Sequence, residues 1–145
     1  MNILVTGGTG FVGKALVTAL LSRGDSVTVL TRSIEKAQSI FPEKTPQFLT
    51  ALSTLKDLNT FDAVINLAGE PIFDKKWTVQ QKEKLRHSRI DLTQQIVQLI
   101  NQSEYPPALI SGSATGIYGN CGEDVITEDT NPSTQFTAQL CIDWE

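Results

Sequence analysis

The sequence predicts an α/β fold, a doubly wound parallel sheet with helices on both faces, and three observations predict it. Short runs rich in β-branched residues alternate with amphipathic helical stretches. The first run leads through a glycine cluster straight into a helix. The strand candidates are almost wholly apolar rather than alternating, as strands covered on both faces are.

The first strand is Asn2 to Thr6, "NILVT", halted by Gly7 and Gly8. In the helix that follows, Phe11, Val12, Ala15, Leu16, Ala19 and Leu20 recur at three- and four-residue spacing, and Gly24 stands where a left-handed cap is expected. "SVTVLT", Ser26 to Thr31, is the second strand, and Ser33 to Phe41 reads as a short helix closed by Pro42. "QFLT", Gln47 to Thr50, is a weaker third strand, and "DAVINL", Asp62 to Leu67, a fourth. The spacing then predicts one long helix over Trp77 to Gln102, with Leu85, Ile90, Leu92, Ile96, Val97, Leu99 and Ile100 on a broad apolar side. "SEYPP" ends it, and Ala108 to Ser111 forms the fifth strand. A polar loop runs to Thr134, and Gln135 onward opens another helix. Five strands with right-handed crossovers give one domain over 1–145.

Composition narrows the function. The chain has 145 residues, 40% hydrophobic, and a net charge of −4, with Lys75-Lys76 its one basic doublet. Nucleic acid is therefore not expected as a partner, because backbone binding needs clustered cations. No apolar run approaches the roughly 20 residues a bilayer needs, and no basic segment precedes the first strand, so a cytoplasmic protein without a membrane is expected. Cys121 and Cys141 lack metal-like spacing and read as reduced thiols, and His87 has no His or Cys neighbour. No metal site is expected.

"GGTGFVGKA", Gly7 to Ala15, can be parsed in two ways. From Gly8 it nearly spells a triphosphate loop, but that loop needs a hydroxyl after the lysine to bind Mg²⁺, and Ala15 offers a methyl. From Gly7 it gives the dinucleotide turn. Gly7, Gly10 and Gly13 then provide the tight bend, the close backbone approach to a diphosphate and the close packing of helix on strand. The helix N-terminus turns its dipole toward the phosphates. Where an acidic residue would accept a ribose 2′-hydroxyl, the second strand ends in Thr31-Arg32-Ser33. A guanidinium suits a 2′-phosphate, so Arg32, with Ser33 and Lys36, favours NADP(H) over NAD(H). A solvated loop arginine is the plainer alternative.

"TGGTGFVG" at Thr6 to Gly13, "NLAG" at Asn66 to Gly69 and "SGSATGIYG" at Ser111 to Gly119 together resemble the short-chain dehydrogenase/reductases, in their extended, epimerase-like branch. The resemblance implies a Rossmann-type sheet in strand order 3-2-1-4-5. It implies cofactor contacts from Thr6, Gly7, Gly10, Phe11, Val12, Gly13, Leu67, Ala68 and Gly69 beside Arg32, and a catalytic role for Ser113 on a substrate oxygen. That branch carries Tyr-x-x-x-Lys on the next helix, where this chain reads "FTAQL" with Phe136 and Leu140. Benzyl and isobutyl groups can neither donate a proton nor depress a phenol's pKa, which forfeits about 10²- to 10⁴-fold in rate.

"INLAGEPIFDKKWT" and "FTAQLCIDWE" narrow the resemblance to an atypical subgroup, the epimerase family proteins, which are similar to sugar-nucleotide epimerases and lack the usual pair. Two functions stay open: an NADP(H)-dependent epimerase/dehydratase-like oxidoreductase acting on an unknown small molecule, or a non-catalytic NADP(H) sensor or interaction protein. Members of the subgroup are about twice as long, so we expect the C-terminal part to be missing and the fifth strand to leave an exposed edge prone to self-association. Tyr118 reads as packing or a substrate wall. Lys75, Lys76 and Trp77 read either as a loop over the cofactor or as a solvated loop with one anchored indole. Glu123, Asp124, Glu128 and Asp129 read as a solvated face.

Overall fold

The computed structural model describes residues 1–43 and 45–145. Its strands are β1 (Asn2–Thr6), β2 (Ser26–Leu30), β3 (Gln47–Leu49), β4 (Ala63–Asn66) and β5 (Ala108–Ser111). All pair in parallel, in the order β3-β2-β1-β4-β5. The helices are α1 (Phe11–Arg23), α2 (Ile34–Ile40), α3 (Val79–His87), α4 (Ile90–Gln102) and α5 (Phe136–Trp144). The expected Rossmann-type sheet and strand order are those observed.

The two-residue period of β1 shows why the sheet is covered twice. Ile3 and Val5 point into one apolar cluster with Val17 and Leu20 of α1, while Leu4 points into another with Ile96 and Leu99 of α4. Each fully buried aliphatic side chain of this kind stabilises the fold by about 1.5–3 kcal/mol. Gly24 caps α1 in the left-handed region at φ 94°, its N–H donating to the carbonyls of Leu20 and Leu21. Ser33 caps α2, its hydroxyl accepting from the Lys36 N–H. The β3–β4 connection holds one 3₁₀ turn, Leu52–Thr54.

The single long helix expected over Trp77 to Gln102 is two helices, and this is a correction. Thr78 caps α3 by accepting from the Gln81 N–H, and the chain breaks at Ser88 and Arg89. The Ser88 hydroxyl donates back to the Leu85 carbonyl at 3.0 Å and accepts the Glu70 N–H at 2.9 Å. Arg89, at φ −110°, ψ −60°, stays in the right-handed region as the N-cap of α4 and carries its side chain into the interior. A serine able to bond the backbone and an arginine with an interior destination together end α3.

Candidate functional site

The site lies beyond the carboxyl ends of the strands, where the strand order reverses between β1 and β4. Three strands end there on polar residues in register: Thr6 opposite Asn66, and Asn66 opposite Ser111. The Thr6 hydroxyl donates to Asn66 Oδ1 at 2.6 Å and accepts the Ala68 N–H at 3.2 Å. Asn66 Nδ2 donates to the hydroxyls of Thr93 at 2.8 Å and Ser111 at 3.3 Å. Thr6 and Asn66 are fully buried, so this network fixes the floor on which the loops after β1 and β4 rest.

The glycine turn shows why those positions carry no side chain. Gly7 has φ +67°, and a Cβ there would lie 2.6 Å from the Leu67 carbonyl. A Cβ on Gly13 would overlap the Gly7 carbonyl oxygen and come within 2.7 Å of Gly8 Cα. The turn closes through the Gly10 N–H donating to the Gly7 carbonyl at 2.9 Å. Gly10 caps α1 without a side chain, which leaves the first-turn N–H groups of Phe11 and Val12 for an external acceptor.

Thr6, Gly7, Gly10, Arg32, Leu67, Ala68 and Gly69 line one cleft of about 1040 Å³. Phe11 and Val12 lie outside it at the start of α1, with the Phe11 side chain 99% exposed, so only their backbone can face a ligand in the turn. Gly13 is buried under the turn. Ser113 does not line the cleft; it follows β5, is exposed, and donates to the Glu145 carboxylate. Among the described residues Arg32 makes no hydrogen bond or ion pair, and it stands beside Ser33 and Lys36 on the cleft wall. Across from it, Glu70 is held below the usual carboxylate pKa, first by its hydrogen bond from Lys75 at 3.1 Å and further by the charges of Lys75, Arg32 and Lys84.

Lys75 thus ties the loop after β4 through Glu70, and Trp77 Nε1 anchors it by donating to the Ile72 carbonyl at 2.8 Å. Leu140 is 1% exposed, and Phe136 packs its ring on Trp77. Among the described residues no group of three or more His, Cys, Asp or Glu could hold a metal ion, and no helix is long and apolar enough to cross a membrane.

Sequence reasoning missed Thr93 and Arg89, and it read Asn66 within its motif without the buried network the residue centres. Each of Thr6, Asn66 and Ser111 is a polar residue closing an apolar strand, and that shared pattern was the available signal for the network.

A glycine turn of this geometry opening onto such a cleft agrees with what sequence comparison finds. Residues 3–144 match the model of the NAD dependent epimerase/dehydratase family. The chain belongs to that family. It is 36% identical over 151 residues to the chloroplastic epimerase family protein SDR39U1 homolog of Arabidopsis thaliana, covering all of this chain and 43% of that protein. It is 36% identical over 147 residues to the epimerase family protein YfhF of Bacillus subtilis, covering all of this chain and 48% of that protein. The crystal structure of human epimerase family protein SDR39U1 (isoform 2) with NADPH superposes with a TM-score of 0.83 at 29% identity, over 99% of this chain and 47% of that one. The chain thus spans less than half the length of these relatives. As a member of the epimerase/dehydratase family it carries the NAD(P)-binding Rossmann-type fold and is similar to the atypical short-chain dehydrogenase/reductases.

Proposed function

We propose that residues 1–145 form one dinucleotide-binding unit that prefers NADP(H) and serves an epimerase- or dehydratase-like oxidoreductase acting on a small molecule. The observation that carries the cofactor preference is Arg32. It is a guanidinium without a protein partner among the described residues, on the cleft wall beside Ser33 and Lys36, where a ribose 2′-phosphate can take a charge-assisted pair of hydrogen bonds. The human relative named above was crystallised with NADPH.

The residues present fit such a group. Backbone N–H groups of the α1 N-terminus and the glycine turn would receive the diphosphate, and Gly7 and Gly13, whose Cβ atoms would strike the Leu67 and Gly7 carbonyls, let the turn close tightly enough to present them. Leu67, Ala68 and Gly69 line the opposite wall, and Arg32, Ser33 and Lys36 would hold the 2′-phosphate. When bound, the nicotinamide supplies or accepts a hydride. Ser113 is the catalytic candidate of the chain, a hydroxyl that can accept from a substrate oxygen while it donates to the Glu145 carboxylate. The packing of Phe136 and Leu140 favours a second reading, in which the unit binds NADP(H) as a sensor or interaction protein without turnover.

Titration with NADPH and NADH, followed by nucleotide fluorescence, tests the preference. We expect NADPH to bind at least about tenfold more tightly, and Arg32→Asp to reverse the order. Equal affinities in wild type, or a variant indistinguishable from it, would remove Arg32 from the site. Oxidation of NADPH by carbonyl substrates would separate the enzyme from the sensor.

A further inference from the structure

Among the described residues Arg89 has no counter-ion. Its side chain is buried, with the residue 8% exposed, and among the described residues no carboxylate pairs with it. Nη1 donates to the Glu70 carbonyl at 3.1 Å, and at 3.4 Å to both the Leu85 carbonyl and the Ser88 hydroxyl. Nε and Nη2 donate to nothing among the described residues. The guanidinium lies against Gly69, where a Cβ would come within 2.6 Å of Cζ, and its Cζ is 5.2 Å from the Trp144 ring centroid. Three donors in one place, Arg89 Nε and Nη2 and the buried Trp144 Nε1, have no acceptor among the described residues.

A buried cation without a partner is costly, and burial lowers the proton affinity of Arg89. Its charged neighbours do not neutralise it. Glu70 spends its carboxylate on Lys75. The Cys141 thiol is pushed up by burial and by the charge of Glu145, so it stays protonated near neutrality. Glu70 and Ser88, which hold Nη1, line the dinucleotide cleft. On the other side, Trp144 packs over Gly112, whose absent Cβ would meet Cη2 at 3.0 Å, next to Ser113. Arg89 therefore stands between the cofactor cleft and the serine.

We propose that the Nε–Nη2 edge of Arg89 binds an anionic group, a carboxylate or a phosphate, of the second ligand that meets Ser113. The planar fork matches two oxygens of such a group, and the Trp144 ring and Gly69 hold the fork in orientation. The dinucleotide's own phosphates have separate donors at the α1 N-terminus and at Arg32. Only the assignment of the anion to a second ligand rests on the function proposed above.

Trp144 supplies the test. In a Trp77→Phe background it is the single indole, and its fluorescence is followed while inorganic phosphate or acetate is added at constant ionic strength, with and without saturating NADPH. We expect a saturable response to phosphate or acetate below about 100 mM that chloride does not produce and that persists with NADPH bound. Arg89→Met should weaken it at least tenfold and leave NADPH affinity within about threefold. If that variant fails to fold, Arg89→Lys, which keeps the charge and loses the fork, should show the same loss. No response to either anion, or an unchanged response in Arg89→Lys, would overturn the proposal. Loss of the response on NADPH binding would also overturn it, by giving the edge to the dinucleotide. A chain that binds phosphate through Arg89 but fails to bind NADPH would refute the cofactor reading and leave this one standing.

Discussion

The Phe136 ring packs on the Trp77 indole, with centroids 5.7 Å apart and planes at 59°, and Lys82 Nζ lies 5.0 Å from the Phe136 centroid. The start of α5 is therefore pinned to the α3 side of the molecule by aromatic and cation–π contact. The position where a proton-donating phenol would stand is occupied by packing. Further along the same helix, Asp143 pairs with Arg86 at 2.6 Å and Trp144 lies beside Arg89, which aligns α5 with α3 and the start of α4.

That packing predicts that installing the missing pair will not install its chemistry. Phe136→Tyr should be tolerated within about 1 kcal/mol, because the half-buried ring keeps its contacts with Trp77. Leu140→Lys buries an ammonium without a partner and should cost about 3 kcal/mol or more. Urea denaturation of the single and double variants, beside NADPH oxidation with carbonyl substrates, checks this. A double variant as stable as wild type that also gained turnover would show that α5 repacks freely.

The glycine turn predicts a separable loss. Gly13→Ala pushes a methyl into the Gly7 carbonyl, the atom that closes the turn by accepting the Gly10 N–H. The bend must shift, so NADPH affinity should fall at least about tenfold. The fold should lose only about 1–3 kcal/mol, as overpacked sites do. Gly24→Ala serves as the control: its Cβ would meet nothing within 4 Å, and its φ of 94° lets strain cost stability without touching the cleft. Comparable loss of NADPH binding in both variants would detach the turn from the ligand.

The sequence made the sheet legible because each strand is a short apolar run and each face of β1 follows a two-residue period. The glycine turn was legible because its function needs positions without side chains, which leave a local signature. Arg89 was not legible. Its neighbours Ile90, Leu92 and Ile96 continue a helical period, and nothing local tells a serine that bonds backward from one that does not. The destination of the guanidinium depends on Gly69, twenty residues earlier, and on Trp144, far beyond it. Asn66 was read within a motif while its partners Thr93 and Ser111, on other elements, stayed out of view. Residues whose roles are set by pairing between distant elements have no short-range pattern to betray them.

The order of strands leaves β5 at one edge of the sheet, with Ile110 56% exposed. We propose that this row of backbone donors and acceptors, unpaired among the described residues and beside an exposed isoleucine, pairs with a second copy of the 145-residue chain. Sedimentation velocity of the 145-residue chain should show a mass that rises with concentration, and Ile110→Lys should reduce it. A monomer at every concentration would remove the edge as an association site.

Acid should weaken the fold partly through Asp25. Its carboxylate accepts from Arg23 Nε at 2.6 Å and from the Met1 ammonium at 2.9 Å, joining the end of α1 to the start of β1. These bonds, that of Arg23 first, hold its pKa below the ordinary 3.8. A carboxyl depressed in the folded state stabilises fully above its unfolded value, and that contribution fades as pH falls from there through the folded value. Asp25→Asn should therefore be less stable than wild type by a constant margin between about pH 5 and pH 7, and the two should converge as pH drops below about 3.8. Glu70 and Asp143, depressed by Lys75 and by Gln139 with Arg86, fade in the same direction, so both proteins still lose stability in acid. Urea midpoints at stepped pH, at low and high salt, check the sign. A margin that widened toward acid would mean that Asp25 is not held as a carboxylate by these partners.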